Sequence, residues 1–220
     1  KATIFCGTST FLRLFNKNNR IPPLMLNSLR ITVAGAERLN PEIRDQFSQK
    51  FGKTIFEGYG TTETAPVATV NIPDRIATDD WHVQTGHKIG TVGLPLPGSS
   101  TRIVDPNTLE TLATGEDGLI LIGGAQVMQG YLKYPEKTAD AITEMSGLRW
   151  YKTGDKGHID EDGFLTIVDR YSRFAKIGGE MISLSAVEAS INEQLSSDTE
   201  ILATTLPDDK KGESIALLYA

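Results

Sequence analysis

The sequence predicts an α/β plus β chain: a parallel α/β sheet segment, then a distorted antiparallel β-barrel, then the start of a small α+β C-terminal domain. Three observations predict it. β-rich runs alternate with helical stripes over residues 2–70, short apolar runs broken by turns fill 88–168, and a helix and a hairpin follow from about 170. The expected divisions are 1–87 for the α/β part of a large domain, 88–168 for its barrel-like part, and 169–220 for a hinge and an incomplete C-terminal domain.

ATIFC (2–6) is the first β-rich run, and Phe11, Leu12, Leu14 and Phe15 supply the apolar residues of the helix after GTS (7–9). LRITVAGA (29–36) is the next strand. Asn40 can cap a helix whose first position is Pro41, where a missing N–H costs nothing. Ile43, Phe47 and Phe51 recur every four residues as one buried stripe, and Gly52 ends the helix. KTIFEGY (53–59) follows, so strand–helix–strand predicts two parallel neighbours in one sheet. Loops leaving the C-terminal ends of parallel strands share one edge, where ligands bind. GAERLN (35–40) and YGTTET (59–64) are two such loops and are expected to face each other across one crevice.

Residues 71–87 carry little periodicity and read as loop. The turns LPG (96–98), DPNT (105–108), GEDG (115–118) and DEDG (160–163) then separate short strands. Ser185 and Glu188 form an S-x-x-E capping box, followed by the helical stripe Val187, Ile191 and Leu195. EILATTL, the turn PDDKKGE and SIALLYA read as a hairpin. One helix and two strands are too little core for an independent domain. The chain is therefore expected to be a piece of a longer protein.

Composition narrows the function. The chain has 220 residues and a net charge of −6, with no basic stripe, so nucleic acid is not expected as a partner. No apolar run approaches membrane-spanning length and no signal peptide is visible. The single cysteine, Cys6, cannot form an internal disulfide, which fits a reducing, cytoplasmic compartment. It is expected in the core of the first strand. His82, His87 and His158 lack metal-ligand spacing, and no serine stands in G-x-S-x-G, so a hydrolase triad is unsupported.

YGTTE gives each residue a possible task. Tyr59 can stack on a flat ring, and Gly60 lets the backbone approach a ligand. Thr61 and Thr62 offer donors to phosphate oxygens, and Glu63 supplies the oxygen that Mg²⁺ prefers. The plainer reading is a glycine turn with threonines as local caps. Asp155 in WYKTGD could accept two hydrogen bonds from a ribose diol, or simply cap a turn. DRYSRFAKIGGEMISL (169–184) reads as a solvated linker or a hinge; Gly178-Gly179 permits unusual backbone angles there.

Together these residues resemble the adenylate-forming superfamily: acyl-CoA synthetases, luciferases and peptide-synthetase adenylation domains. AGAERL (34–39), YGTTE (59–63), GYLKYPEKT (130–138), WYKTGD (150–155) and DGFLTIVDR (162–170) match its motifs in order along nearly the whole chain. The resemblance implies a two-step reaction. ATP and a fatty acid give an acyl-adenylate and pyrophosphate; a thiol then takes the acyl group and AMP leaves. It implies that Tyr59 stacks on adenine, that Gly35, Ala36 and Glu37 line the adenine pocket, that Gly60 and Thr61 belong to the same nucleotide site, and that Thr62 meets the phosphate. It implies further that Glu63 holds Mg²⁺, that Asp155 binds the ribose hydroxyls with Arg170, and that Asp169 is a hinge. Gly178, Gly179 and Glu180 would lie on the loop lining the thiol's access path. The family's phosphate loop and adenylating lysine are expected outside residues 1–220.

A narrower likeness bears on the thiol. GTSTFL (7–12), VAGAERL (33–39) and RFAKIGGEMISL (173–184) resemble acyl-[acyl-carrier-protein] synthetases, including the synthetase half of bifunctional 2-acylglycerophosphoethanolamine acyltransferases. Acyl-CoA ligases usually carry an acid where Arg173 stands, often Tyr, His or Arg where Glu180 stands, and Pro where Leu184 stands. The expected partners are thus a fatty acid and acyl carrier protein (or CoA), with peripheral contact at the inner membrane through the lipid substrate. A conventional acyl-CoA ligase and a non-catalytic nucleotide or carrier-protein binding module are the alternatives. An acyltransferase activity would belong to another domain, since its His-and-Asp motif is absent here.

Overall fold

The computed structural model describes residues 1–79, 81–192, 194, 201–208 and 210–219. They form two compact units, Lys1–Thr153 with Gly157–Ile167, and Gly154–Lys156 with Val168–Ala220.

In the first unit, β1 (Ile4–Gly7), β2 (Ile31–Ala34) and β3 (Ile55–Tyr59) run parallel side by side. β4 (Thr69–Val70) and β7 (Leu94–Pro95) extend this sheet antiparallel, in the order β1-β2-β3-β4-β7. The crossovers carry α1 (Ser9–Lys17) and α2 (Pro41–Phe51). The α2 boundaries follow from local chemistry. Asn40 Oδ1 accepts from the N–H groups of Glu42 (2.8 Å) and Ile43, and Gly52 ends the helix with φ 62°. The stripe Ile43, Phe47 and Phe51 packs with Leu12, Ala34, Leu39 and Ile55 into one core. Phe47 alone, at 1% exposure, contributes about 1.5–3 kcal/mol by burial.

Residues 71–87, expected as loop, contain a small ribbon of β5 (Arg75–Ile76) and β6 (Val83–Gln84). Two residues per strand are too few to leave a periodic signature. The barrel-like part is a curled antiparallel half-barrel. β8 (Ser99–Val104), β9 (Gly118–Gly124), β10 (Ile142–Met145), β11 (Leu148–Ile159) and β12 (Leu165–Arg170) are ordered β10-β11-β9-β8, with β12 on β11. Between β9 and β10 lies α3 (Pro135–Ala141). Ile120 and Ile122 join Ala68, Ile103 and Leu165 in its core. DEDG is the β11–β12 turn, and the Lys88 ammonium bonds Asp160 (2.7 Å) and Asp162 in it.

The second unit corrects the linker reading of 169–184. That stretch forms the hairpin β13 (Phe174–Ile177) and β14 (Glu180–Ser183), turning on Gly178 (φ 59°) and Gly179 (φ 94°). Positive φ at both central residues is the tight turn whose twist suits a hairpin. After α4 (Leu184–Asn192), β15 (Ile201–Asp208) and β16 (Gly212–Tyr219) pair antiparallel as expected, and the sheet order is β14-β13-β16-β15.

Two other expectations change. Ser183, not Ser185, caps α4: its Oγ accepts from the Ala186 N–H at 3.1 Å. Ser185 and Glu188 serve side-chain bonds instead, and Leu195 of the expected stripe lies outside the described residues. Cys6 is exposed rather than buried, because β1 alternates and it is Phe5, on the opposite face from Ile4 and Cys6, that packs against the helical core. Residue type alone does not show which face of a strand the helices cover.

Candidate active site

The parallel run of β1, β2 and β3 brings their C-terminal ends to one edge. The Gly35 N–H donates to the Gly7 carbonyl at 3.1 Å, one step beyond the β1–β2 ladder. A Cβ at Gly35 would lie 3.3 Å from the Gly58 carbonyl, so the start of GAERLN lies close against β3, just ahead of YGTTET. Ala36 then takes φ 70°, a left-handed conformation uncommon for alanine. The Glu37 carboxylate turns toward α1, where Oε1 accepts from the Thr10 N–H at 2.7 Å. That bond is the main cause holding the Glu37 carboxyl below its ordinary value. The loop is therefore tied to the first turn of α1, whose own cap is Thr8.

YGTTE forms the glycine turn with threonine caps, the plainer of the two readings drawn from its sequence. Tyr59 is half-buried against the half-barrel core. Gly60 is required by the loop itself, since a Cβ there would meet the Pro66 carbonyl oxygen at 1.8 Å. The Thr61 N–H donates to Thr64 Oγ1 at 3.0 Å, and that hydroxyl donates back to the Thr61 carbonyl at 3.1 Å. These bonds pin a single 3₁₀ turn over Thr62–Thr64. Thr64 is buried, whereas Thr62 is exposed and Glu63 half-buried. The threonines Thr61 and Thr64 are local caps, and their capping presents Thr62 and Glu63.

Glu63 is held from across the first unit. The Tyr131 hydroxyl donates to its Oε1 at 2.8 Å, and the Met128 N–H donates to its backbone carbonyl at 2.8 Å. Burial alone would raise the Glu63 carboxyl. Bonds from Tyr131, from its own N–H, and from Thr61 and Tyr151 outweigh burial and hold it below its ordinary value. Glu63 is therefore anionic at neutral pH. Among the described residues no group of three or more His, Cys, Asp or Glu could enclose a metal. One fixed carboxylate fits Mg²⁺ of the kind that keeps waters and takes its other ligands from substrate phosphates.

In the second unit, Asp155 lies inside β11 rather than capping a turn, directly after Gly154 with φ 77°. Its side chain is 2% exposed, and Arg170 Nε donates to Oδ1 at 2.8 Å. The Arg170 side chain itself is 66% exposed, so the pair presents one open cation above a sheltered carboxylate. Asp169 is also buried. Its Oδ1 accepts from the Arg170 N–H (2.8 Å) and the Ser185 hydroxyl (3.0 Å), and its Oδ2 accepts from the Ser183 hydroxyl. Arg173 donates to Ser185 Oγ (3.1 Å) and to Glu188 Oε1 (2.6 Å), which also takes the Ala203 N–H. Gly178, Gly179 and Glu180 form an exposed hairpin tip.

Comparison with known proteins identifies the frame that carries these groups. The AMP-binding enzyme family matches residues 1–132. This chain belongs to the AMP-binding enzyme family. It is 31% identical over 215 residues to a long-chain-fatty-acid–CoA ligase of Salmonella typhimurium, covering 98% of this chain and 36% of that ligase. It is 36% identical over 178 residues to a probable 4-coumarate–CoA ligase 2 of Dictyostelium discoideum, covering 80% of this chain and 30% of that one. Among solved structures, ATP-bound MatB from Rhodopseudomonas palustris superposes with a TM-score of 0.79 at 29% identity, over all of this chain and 41% of that one. The chain thus spans about a third of the curated AMP-binding relatives it matches.

Sequence reasoning missed Tyr131, Tyr151 and the Met128 N–H as groups of the Glu63 site, and Thr10 as the partner of Glu37. Tyr131 stands 68 residues from Glu63, and no spacing rule links the two. Both tyrosines do fall inside recognised motifs, GYLKYPEKT and WYKTGD, and that was the available signal.

Proposed function

We propose that these residues are the nucleotide-handling part of an ATP-dependent, AMP-forming acid–thiol ligase that activates a fatty acid. The observation that carries this reading is Glu63, a carboxylate held by the Tyr131 hydroxyl on a capped turn at the edge where the parallel strands end. Membership of the AMP-binding family supports it, as do relatives named for fatty acid ligation to CoA.

On this reading, Tyr59 and the backbone of Gly35-Ala36-Glu37 border the adenine, with Gly60 and Thr61 shaping the floor beside it. The Glu37 carboxylate contributes by fixing its loop, because it is already bonded to Thr10. The exposed Thr62 hydroxyl meets phosphate. Glu63 holds Mg²⁺, which when bound stabilises charge on the phosphate oxygens. Asp155 takes the ribose hydroxyls while Arg170 keeps it oriented. The substrate carboxylate is itself the nucleophile, so no protein nucleophile is required. Asp169 marks the hinge, with its side chain anchored inside the second unit by Ser183 and Ser185, so rotation falls to the backbone ahead of it. The Gly178-Gly179-Glu180 tip borders the path of the thiol.

CoA is the acceptor that the relatives' names favour. Acyl carrier protein is a second reading, favoured by the segment RFAKIGGEMISL with its exposed tip. Arg173, which suggested it, is bonded to Glu188 and Ser185, so its job in the fold is internal. The test uses the complete polypeptide that carries these residues, with ATP, Mg²⁺ and labelled long-chain fatty acid, and CoA and holo-acyl carrier protein in separate reactions. Label on CoA is expected. Label on the carrier protein alone replaces the acceptor, and label on neither with no AMP released overturns the ligase reading.

A further inference from the structure

GYLKYPEKT carries Tyr131, whose hydroxyl donates to Glu63. Its side chains converge on one group. The Tyr131 N–H donates to Thr138 Oγ1 at 2.8 Å, and that hydroxyl donates to the Tyr134 carbonyl at 3.0 Å. Gly130, at φ 155°, is where a Cβ would fall 2.7 Å from the Thr138 methyl, so glycine lets α3 close onto the tyrosine. Arg149 Nη2 donates to the carbonyls of Met128 (3.1 Å) and Gln129 (3.0 Å), fixing the same loop from β11. The Lys137 ammonium sits 4.5 Å from the centre of the Tyr131 ring. The outcome of all five constraints is the placement of one phenol hydroxyl, 2.8 Å from Glu63 Oε1.

We propose that Tyr131 is a positioning residue that fixes the direction of the Glu63 carboxylate toward the magnesium–nucleotide, an inference that rests on the ligase reading. Packing alone does not explain the hydroxyl, because phenylalanine would fill the same space and keep the stacked lysine. The Met128 N–H bond holds the Glu63 backbone and leaves the side chain free to turn about its own bonds. The Tyr131 hydroxyl, with Thr61 and Tyr151 beside it, restrains that rotation, and a restrained carboxylate meets the metal without reorganising at the moment of binding.

Tyr131→Phe in the complete polypeptide tests this without turnover. ATP binding is measured by calorimetry in the absence of fatty acid, once with Mg²⁺ and once with EDTA. The variant is expected to lose roughly tenfold in affinity with Mg²⁺, the order for a hydrogen bond to a charged group, and to bind equally in EDTA. Thr138→Val should show a smaller loss of the same kind, and Thr138→Ser should restore it. This second pair keeps the test decisive if Tyr131→Phe folds poorly. An unchanged magnesium increment in variants of a wild type that performs fatty-acid-dependent ATP–pyrophosphate exchange overturns the role of Tyr131 alone. A wild type with neither magnesium increment nor exchange overturns the ligase reading together with it.

Discussion

Burial would by itself raise the Glu63 carboxyl, and hydrogen bonds from Tyr131, Thr61 and Tyr151 reverse the direction. Glu57, six residues earlier on β3, shows the opposite balance: burial raises it, and the guanidinium groups of Arg44 and Arg38 offset this only in part. The folded chain therefore keeps the Glu57 proton to a higher pH than the unfolded chain. Its contribution to stability is full below the unfolded carboxyl range and is lost as pH rises through the raised folded value. Glu57→Gln should flatten the urea midpoint against pH across that window; a profile with the wild-type slope would contradict it. Gly60→Ala should cost at least about 2 kcal/mol through overpacking against the Pro66 carbonyl, measured by urea unfolding. At this scale the sequence shows which residue types carry chemistry. It does not show that Gly60 answers to its own loop, nor that Glu63 leans on a hydroxyl from a distant motif.

Elements with strong local signals were legible. Asn40, Pro41, the Ile43–Phe47–Phe51 stripe and Gly52 delimit α2 as read, because cap and periodicity act within a few residues. Asn40→Ala should accordingly cost about 1 kcal/mol, and a change below a few tenths would show that packing alone sets that end. The start of α4 was misread by two residues, since Ser183 and Ser185 both precede apolar residues and only the fold shows which one faces the free N–H. Ser183→Ala removes a cap and a donor to Asp169 together, so it should cost about 1–3 kcal/mol. Ser185→Ala keeps the cap and should cost less; the reverse order in denaturant titrations would refute this assignment. The β5–β6 ribbon was invisible because two-residue strands carry no period.

Over the whole molecule, the parallel order of β1, β2 and β3 was readable from strand–helix–strand alternation, and it places the loops that bear Glu37 and Glu63 at one edge. The half-barrel was readable from its turns, although sequence pattern does not specify that β12 joins β11 or which strand ends a sheet. No described helix is long and apolar enough to cross a membrane. The central proposal is that Glu63, a single fixed carboxylate, serves a nucleotide. The measurement that tests it most directly is fatty-acid-dependent ATP–pyrophosphate exchange by the complete polypeptide, with Glu63→Gln alongside. The account predicts exchange that requires magnesium and falls at least about a hundredfold in the variant. No exchange in the wild type, or equal exchange in both, would contradict it.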